Sequence, residues 1–263
     1  MKNLFFTISL CIVFMSQAQA QAWTAIGLKL GGGTSWLIDK NIFDDNTYVH
    51  NFSGAFNVGA KASLNIGANH SVSFEAMIAK MKQNFDYGFT NDAMLRVDGT
   101  NEIRWTNLDL YFLYRYYSQG AFSEFGIMSS RVQSVEQRDA LAGYTDYTDV
   151  SSNYQNYLSA VFGGGAFVAG SDRFTLMLGI RLHYAFTDFI SEDGNDPVVL
   201  AAQGQAFPFP NSFRQDFSSL ESDPYEDARK TSPILIEMIA EFNFGIGYFA
   251  KTICSGRVKW FGG

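Results

Sequence analysis

Two segments of the chain alternate apolar and polar side chains over an unusual length. From residue 174 to 186, every second position is apolar, namely Phe174, Leu176, Leu178, Ile180, Leu182, Tyr184 and Phe186. Residues 234–248 repeat the pattern, and their opposite face carries Glu237 and Glu241. Successive side chains of a strand point to opposite faces, and soluble strands usually run about 5–6 residues. Such strands suit a barrel wall between lipid and a polar interior; a soluble β-sandwich is the alternative.

The same alternation predicts six further strands, so the count is eight. They cover about 23–36, 54–67, 71–83, 102–117, 121–135 and 154–169. In the fourth strand the alternation changes phase near Asn107, because Ile103 and Trp105 have the opposite parity to Leu108 and Leu110. A β-bulge accounts for such a change of phase.

Tight turns and long connections alternate between the predicted strands. Residues 67–70, 118–120 and 170–172 are short and rich in Gly, Asn, Asp and Ser, as tight turns require. The other connections, 37–53, 84–101, 136–153 and 191–232, are long. This order is typical of an outer-membrane barrel. The predicted fold class is all-β: an eight-stranded antiparallel transmembrane β-barrel with short periplasmic turns and long extracellular loops.

The N-terminus has the features of an export signal. Lys2 precedes a short apolar stretch, and Ala18-Gln19-Ala20 offers small residues at a cleavage site. We expect a signal peptide over 1–20, a barrel over 21–250 and a short periplasmic tail over 251–263. The predicted location is the outer membrane of a Gram-negative bacterium.

Charge and cysteine content exclude several classes of function. The net charge of −7 and the pI near 4.9 argue against nucleic acid as a partner, which demands a basic surface. Cys254 is the one cysteine left after removal of the signal, so disulfide scaffolds and cysteine-based zinc sites are excluded. We expect no cofactor and no metal.

Four strands resemble the PorT-like outer-membrane β-barrel family of Bacteroidetes. The matching segments are Leu108–Tyr116, Phe125–Ser129, Val161–Gly165 and Arg181–Asp188. The first departs from the family at Tyr111, where a proline is usual. The resemblance covers nearly the whole mature chain and implies a fold and a location rather than an activity. One named member assists a secretion system.

The inward-facing positions of the predicted strands carry many charges: Lys29, Lys61, Glu75, Asp109, Arg115, Arg181, Glu237 and Glu241. Pairing about the turn near Asn69 places Lys61 opposite Glu75, and barrel closure brings Glu237 and Glu241 within reach of Arg181 and Lys29. An eight-stranded barrel has an interior just wide enough for side chains, and buried charges need partners. The sequence therefore predicts an ion-pair network that plugs the lumen, unless some of these groups sit in water near the barrel ends.

Three functions follow from this arrangement. The favoured one is a non-enzymatic, monomeric membrane scaffold or secretion and envelope accessory protein, embedded in outer-membrane lipid and engaging a protein partner. Phe207 and Phe209, which are set between prolines in the acidic loop 191–232, either anchor that partner or cap the barrel mouth. The second is a narrow solute pore. The third is a lipid-modifying enzyme using His50 near Ser53 and two aspartates, Asp44 and Asp45; we predict no catalytic residues.

Overall fold

The computed structural model describes residues 22–39, 48–90, 95–139, 144–170, 174–195, 230–252 and 258–260. Within them lie eleven strands and two short 3-10 turns, Ser151–Asn153 and Asp193–Asn195. The strands are β1 (Ala22–Ile38), β2 (Tyr48–Asn51), β3 (Gly54–Ile66), β4 (His70–Thr90), β5 (Arg96–Ser118), β6 (Ala121–Asp139), β7 (Tyr144–Asp149), β8 (Tyr157–Gly170), β9 (Phe174–Ala185), β10 (Ser232–Thr252) and β11 (Val258–Trp260).

Eight of these strands form a closed antiparallel barrel. The order around the ring is β1-β3-β4-β5-β6-β8-β9-β10, and β10 pairs back onto β1 from Ala22↔Ala250 to Ile38↔Ser232. Because the ring is closed, no strand is an edge strand, and the backbone N–H and C=O groups of each strand can form hydrogen bonds with its two neighbours. The predicted fold class is confirmed. Neither helical segment of the described ranges has the length and apolarity for a membrane crossing.

The outer face of the ring carries a belt of exposed apolar side chains. Apolar residues recur at alternate positions of neighbouring strands, because every second side chain points outward. Members of this belt include Leu28, Phe56, Phe74, Ile78, Leu110, Phe125, Ile127, Phe162, Ile180 and Met238. An exposed apolar surface this extensive needs a covering, and a hydrocarbon layer is the covering that a closed barrel fits.

The interior has two layers of different chemistry. Near the tight turns that follow β3 and β5, here called the turn end, the inward side chains are mainly charged or polar. Toward the opposite end, here called the loop end, they form an apolar cluster around Leu37, Phe85, Trp105 and Phe189. Phe189 packs 5.6 Å from the Trp105 ring and 4.7 Å from the Tyr154 ring, measured between centroids. The lumen is therefore filled with side chains at both levels.

Two of the four predicted long loops are largely strand. β4 and β5 continue to Thr90 and from Arg96, so most of the predicted loop 84–101 is a hairpin arm. Within 136–153, β6 continues to Asp139 and β7 pairs with it. These segments were predicted as loops because apolar side chains point inward and polar ones outward here, the reverse of the pattern in the belt. Phe85 and Tyr87 point inward and are buried, whereas Asp86 points outward and is exposed, as expected for a sheet whose outer face lies in water.

The phase change predicted in β5 is assigned to the wrong strand. The buried positions of β5 keep one parity from Asn101 to Arg115. The register shift does occur at Thr106/Asn107, but the extra residue belongs to β6, where Gln133 has no opposite partner. Ile103 and Trp105 are apolar because they face the apolar layer of the interior, not because they point outward.

Several predictions fall on residues outside the described ranges. They are the signal peptide 1–20, most of the loop 191–232 with Phe207 and Phe209, and parts of the tail 251–263. At the C-terminus, β10 runs to Thr252, beyond the predicted barrel limit of 250, and β11 pairs with its last three residues.

Candidate functional site in the barrel lumen

The ring places the predicted charges opposite one another. Lys61 lies opposite Glu75 in the β3–β4 register, Lys29 opposite Glu241 in the β1–β10 register, and Arg181 opposite Glu237 in the β9–β10 register. Each pair shares the inner face because both residues have the inward parity of their strands. These side chains are almost completely buried.

Glu241 is the hub of the network at the turn end. The Arg115 guanidinium donates to both of its carboxylate oxygens, with 2.8 Å from Nη1 to Oε1 and 2.8 Å from Nη2 to Oε2. Lys29 Nζ lies 3.2 Å from Oε2, and Lys61 Nζ also donates to this carboxylate. A forked pair of hydrogen bonds fixes the guanidinium plane. One carboxylate thus holds cations from β1, β3 and β5.

Glu75 and Glu124 extend the network across the lumen. Arg181 Nη1 lies 2.9 Å from Glu75 Oε2, and Lys29 Nζ lies 2.7 Å from Glu75 Oε1. Arg181 Nη2 also lies 2.7 Å from Glu124 Oε1, while Arg115 Nη2 lies 2.7 Å from Glu124 Oε2. The arginines, lysines and glutamates therefore form one connected set, hereafter the lumen network: Lys29, Lys61, Glu75, Arg115, Glu124, Arg181 and Glu241.

Glu124 is a member that the sequence analysis missed. Its neighbours Phe125 and Ile127 are outward and exposed, so the parity of β6 already assigned Glu124 to the inner face. The glycine run of β8 leaves space for it. A Cβ at Gly163 would lie 2.8 Å from Glu124 Oε1 and 3.0 Å from the Ile180 carbonyl oxygen. The smallest residue at this position lets Glu124 reach both arginines.

Glu237 lies outside the lumen network and has different partners. Its carboxylate accepts from His183 Nε2 at 2.9 Å and from the Asn57 side chain, rather than from Arg181. The space for it is made by Gly31, where a Cβ would lie 2.3 Å from Glu237 Oε2. His183 also packs edge-on against the Tyr111 ring, with 5.6 Å between centroids. His183 is not among the site residues predicted from the sequence.

Asp109 differs from the other seven predicted charges. It is fully buried opposite Ser130 in the β5–β6 register. Among the described residues, no cationic side chain lies within ion-pair distance of Asp109, and its polar neighbour is the hydroxyl of Ser130. Nearby, Asn107 Nδ2 donates to the Tyr157 hydroxyl at 2.7 Å. The structure therefore does not bring Asp109 into the ion pairs.

Below the lumen network, the turn end contains an open cavity of about 510 Å³. Its deep wall includes Lys61, Met177 and Asn243, and its mouth is formed by the tight turns around Asn69 and Gln119. Asn243 Nδ2 donates to Glu241 Oε1 at 2.8 Å. The cavity thus ends where the lumen network begins. In the part of the chain that the structure describes, no three His, Cys, Asp or Glu side chains gather as a metal site requires.

Of the residues considered for a lipid-modifying enzyme, the structure describes His50 and Ser53. His50 lies on β2 and packs against Phe85, with 4.6 Å between ring centroids, and burial lowers the pKa of its imidazole. Ser53 Oγ donates to the Asn51 carbonyl oxygen at 3.0 Å and accepts from the Asn84 backbone N–H at 2.9 Å. Its hydroxyl is thus engaged in holding β2 against β4. Asp44 and Asp45 lie outside the described residues.

The fold is similar to solved outer-membrane barrels at low sequence identity. Neisserial surface protein A shares 9% identity at a TM-score of 0.41, covering 84% of this chain and 97% of that one. OprG from Pseudomonas aeruginosa shares 7% identity at 0.41, covering 87% and 99%. The outer membrane protease OmpT from Escherichia coli shares 9% identity at 0.36, covering 86% and 95%. These values are too low to carry a function over, and the barrel assignment rests on the strand pairing of this chain.

No protein-family model and no curated protein sequence matches the chain. The resemblance to the PorT-like family therefore stays a prediction.

Proposed function

We propose that this protein is a non-enzymatic, non-conducting β-barrel of the bacterial outer membrane that serves as a membrane scaffold. The observation that carries the proposal is the lumen network. Its ion pairs join β1, β3, β4, β5, β6, β9 and β10 across the interior, with side chains that are shielded from solvent. Buried ion pairs resist separation because a single unpaired charge costs several kcal/mol. A solute or ion path through the lumen would have to break them.

The outer-membrane location is supported by three features. The ring is closed, its outer face is apolar, and its interior is charged. A soluble barrel reverses the last two features, since its apolar side chains point inward. The expected export signal over 1–20 is consistent with this location.

A planar-bilayer recording tests the closed lumen. We expect the intact protein to insert without producing stable conductance steps. Stable open conductance from the wild-type protein would refute the proposal and favour the narrow-pore function.

The scaffold role requires a protein partner, and we expect this partner to be another protein of the bacterial envelope. Cross-linking in intact cells, followed by identification of the co-purified proteins, is the corresponding experiment. We expect one envelope protein to be enriched over a control barrel of similar abundance. Recovery of equal amounts of the same proteins with both barrels would contradict a scaffold role.

A further inference from the structure

A cluster of basic side chains lies on the outer face of the barrel at the loop-end edge of the apolar belt. Its members, hereafter the rim patch, are Lys80 and Lys82 on β4, Arg104 on β5 and Arg131 on β6. Arg131 lies opposite Leu108, four residues along β5 from Arg104 and closer to the belt. Lys82 lies directly opposite Arg104 in the β4–β5 register. Like charges at directly opposed positions destabilise a sheet, and on its other side Arg104 lies opposite Glu136 in the β5–β6 register.

The charges of the rim patch are only partly neutralised by this chain. Lys82 Nζ lies 3.5 Å from Glu102 Oε2, and that carboxylate also accepts from Arg138 and Tyr147. Among the described residues, no carboxylate lies within ion-pair distance of Lys80, Arg104 or Arg131. These three side chains are exposed. The patch therefore keeps positive charge, although the whole chain carries a net charge of −7.

Arg104 is held in place before any ligand arrives. Its guanidinium carbon lies 3.4 Å from the centre of the Tyr147 ring of β7, which is a close cation–π stack. Stacking restrains the guanidinium plane and leaves its N–H donors available. A planar guanidinium with free donors suits the oxygens of a phosphate. Between Arg104 and the two lysines lies an open groove of about 470 Å³.

The rim patch lies where a membrane lipid could reach it, at the border between the apolar belt and water. Lys80 lies opposite Phe56, which is 54% exposed, and one row further from the loop end Ile78 is 55% exposed. A ligand on the patch is thus in contact with water on one side and adjoins the hydrocarbon-covered belt on the other. Neighbouring strands lie about 4.8 Å apart, so cations on three strands extend beyond the reach of one phosphate.

We propose that the rim patch binds the phosphate groups of a lipid A-type glycolipid in the leaflet at the loop end. This inference rests on the proposed function only in requiring a membrane around the belt. Arg104, Lys80 and Lys82 surround one phosphate, and Arg131, which lies nearer the belt, supplies the positive charge for the second. Glu136 lines the groove and Glu102 lies beside Lys82, so the phosphate binds on the side of the groove formed by Arg104 and Lys80, away from these carboxylates.

Lipid retention by the purified full-length protein tests the proposal. The protein is extracted in detergent and incubated with bisphosphorylated lipid A, with dephosphorylated lipid A or with phosphatidylglycerol, and bound lipid is measured by native mass spectrometry. We expect bisphosphorylated lipid A to be retained preferentially. The variant Lys80→Gln with Arg104→Gln should weaken its retention by about tenfold or more, given about 1 kcal/mol for each basic residue near a lipid surface.

Arg96→Gln is the matched control. It removes one positive charge from the same β4–β5 hairpin, but Arg96 lies at the far tip and pairs with Asp98 at 2.8 Å. We expect its retention of lipid A to equal that of the wild type. Equal retention of dephosphorylated lipid A or of phosphatidylglycerol, or full retention by the double variant, would overturn the proposal.

The result is separable from that of the conductance experiment. Gel mobility with and without heating reports whether each variant still forms the barrel. Bilayer recordings on the same preparations report whether the lumen conducts. A conducting barrel that retains lipid A would overturn the closed lumen alone, and a closed barrel that fails to retain it would overturn the rim patch alone.

Discussion

Buried carboxylates of this barrel differ in what surrounds them. Glu241 accepts from two arginine nitrogens and lies beside two lysines, whereas Asp109 has no cation within ion-pair distance among the described residues. Burial removes water from both groups and penalises their charge. Only Glu241 has cationic partners that offset the hydration free energy lost on burial. Substitutions of the two residues should therefore change stability in opposite directions.

Glu241→Gln should destabilise the protein by about 3–5 kcal/mol, because it leaves the buried Lys61 without a carboxylate and removes one of the two carboxylates that Arg115 and Lys29 contact. Urea unfolding from lipid vesicles measures this change in the free energy of unfolding. Asp98→Asn serves as the control, since the Arg96–Asp98 pair is exposed and such pairs contribute about 0–1 kcal/mol. Equal losses in the two variants would contradict the central role of Glu241.

Asp109→Asn should raise the free energy of unfolding by about 1–3 kcal/mol at neutral pH, because it removes an ionisable carboxyl that is buried without a cationic partner, at nearly constant volume. The same unfolding experiment measures it, with Glu75→Gln as a control that we expect to lose stability. If Asp109→Asn is destabilising instead, a bound ion or water must compensate the carboxylate.

At the scale of the strand, two features shape the interior. The strands β4 and β5 continue past the apolar belt, and their inward side chains change from charged to apolar as they do so. Glycines at inward positions then make room for long side chains from neighbouring strands. Gly31 on β1 is the sharpest case, since a Cβ there would lie 2.2 Å from Asn57 Oδ1 and 2.3 Å from Glu237 Oε2.

Gly31→Ala should therefore cost about 1–3 kcal/mol through overpacking, and it should displace Glu237 from Asn57. Gly32→Ala is the matched control on the same strand, because its Cβ would meet nothing within 4 Å. Unfolding in lipid vesicles compares the two variants. Similar stabilities for both would show that the strand yields at Gly31 without disturbing the interior.

At the scale of the whole molecule, the barrel has its apolar face on the outside and its ion pairs on the inside. This inversion is stable only if hydrocarbon covers the belt, because water would penalise so many exposed apolar side chains. The two layers of the interior also differ in what they stabilise. The lumen network joins strands around the ring at the turn end, while the apolar cluster fills the loop end.

Leu110→Arg should destabilise the protein by about 2–4 kcal/mol in lipid vesicles if the belt faces hydrocarbon. Val49→Arg is the control: Val49 is 58% exposed and Leu110 is 50% exposed, but Val49 lies on β2 beyond the belt. We expect the control to change stability by less than about 0.5 kcal/mol. Equal effects would show that Leu110 lies in water, and the membrane assignment would fail.

The sequence by itself determined the eight-stranded ring and the inner face of each strand, except in the loop-end parts of β4, β5 and β6. This was possible because the side-chain period of a strand is two, so Phe125 and Ile127 on the outside fix Glu124 on the inside as surely as Leu28 and Leu30 fix Lys29. Register about a tight turn is also local, and hence Lys61 was placed opposite Glu75 correctly.

Only the tertiary structure decided which charges meet. Lys61 pairs with Glu241 rather than with its opposite residue Glu75, and Glu237 pairs with His183 rather than Arg181. Partners across the lumen depend on the stagger of the closed ring, which is a property of all eight strands together. The same holds for Asp109. The parity of β5 alone gives its inward position, whereas the absence of a nearby cation depends on which side chains the other strands place across the lumen. The orientation of a side chain depends on the sequence of its own strand, whereas contacts across the barrel form only when the last strand pairs with the first.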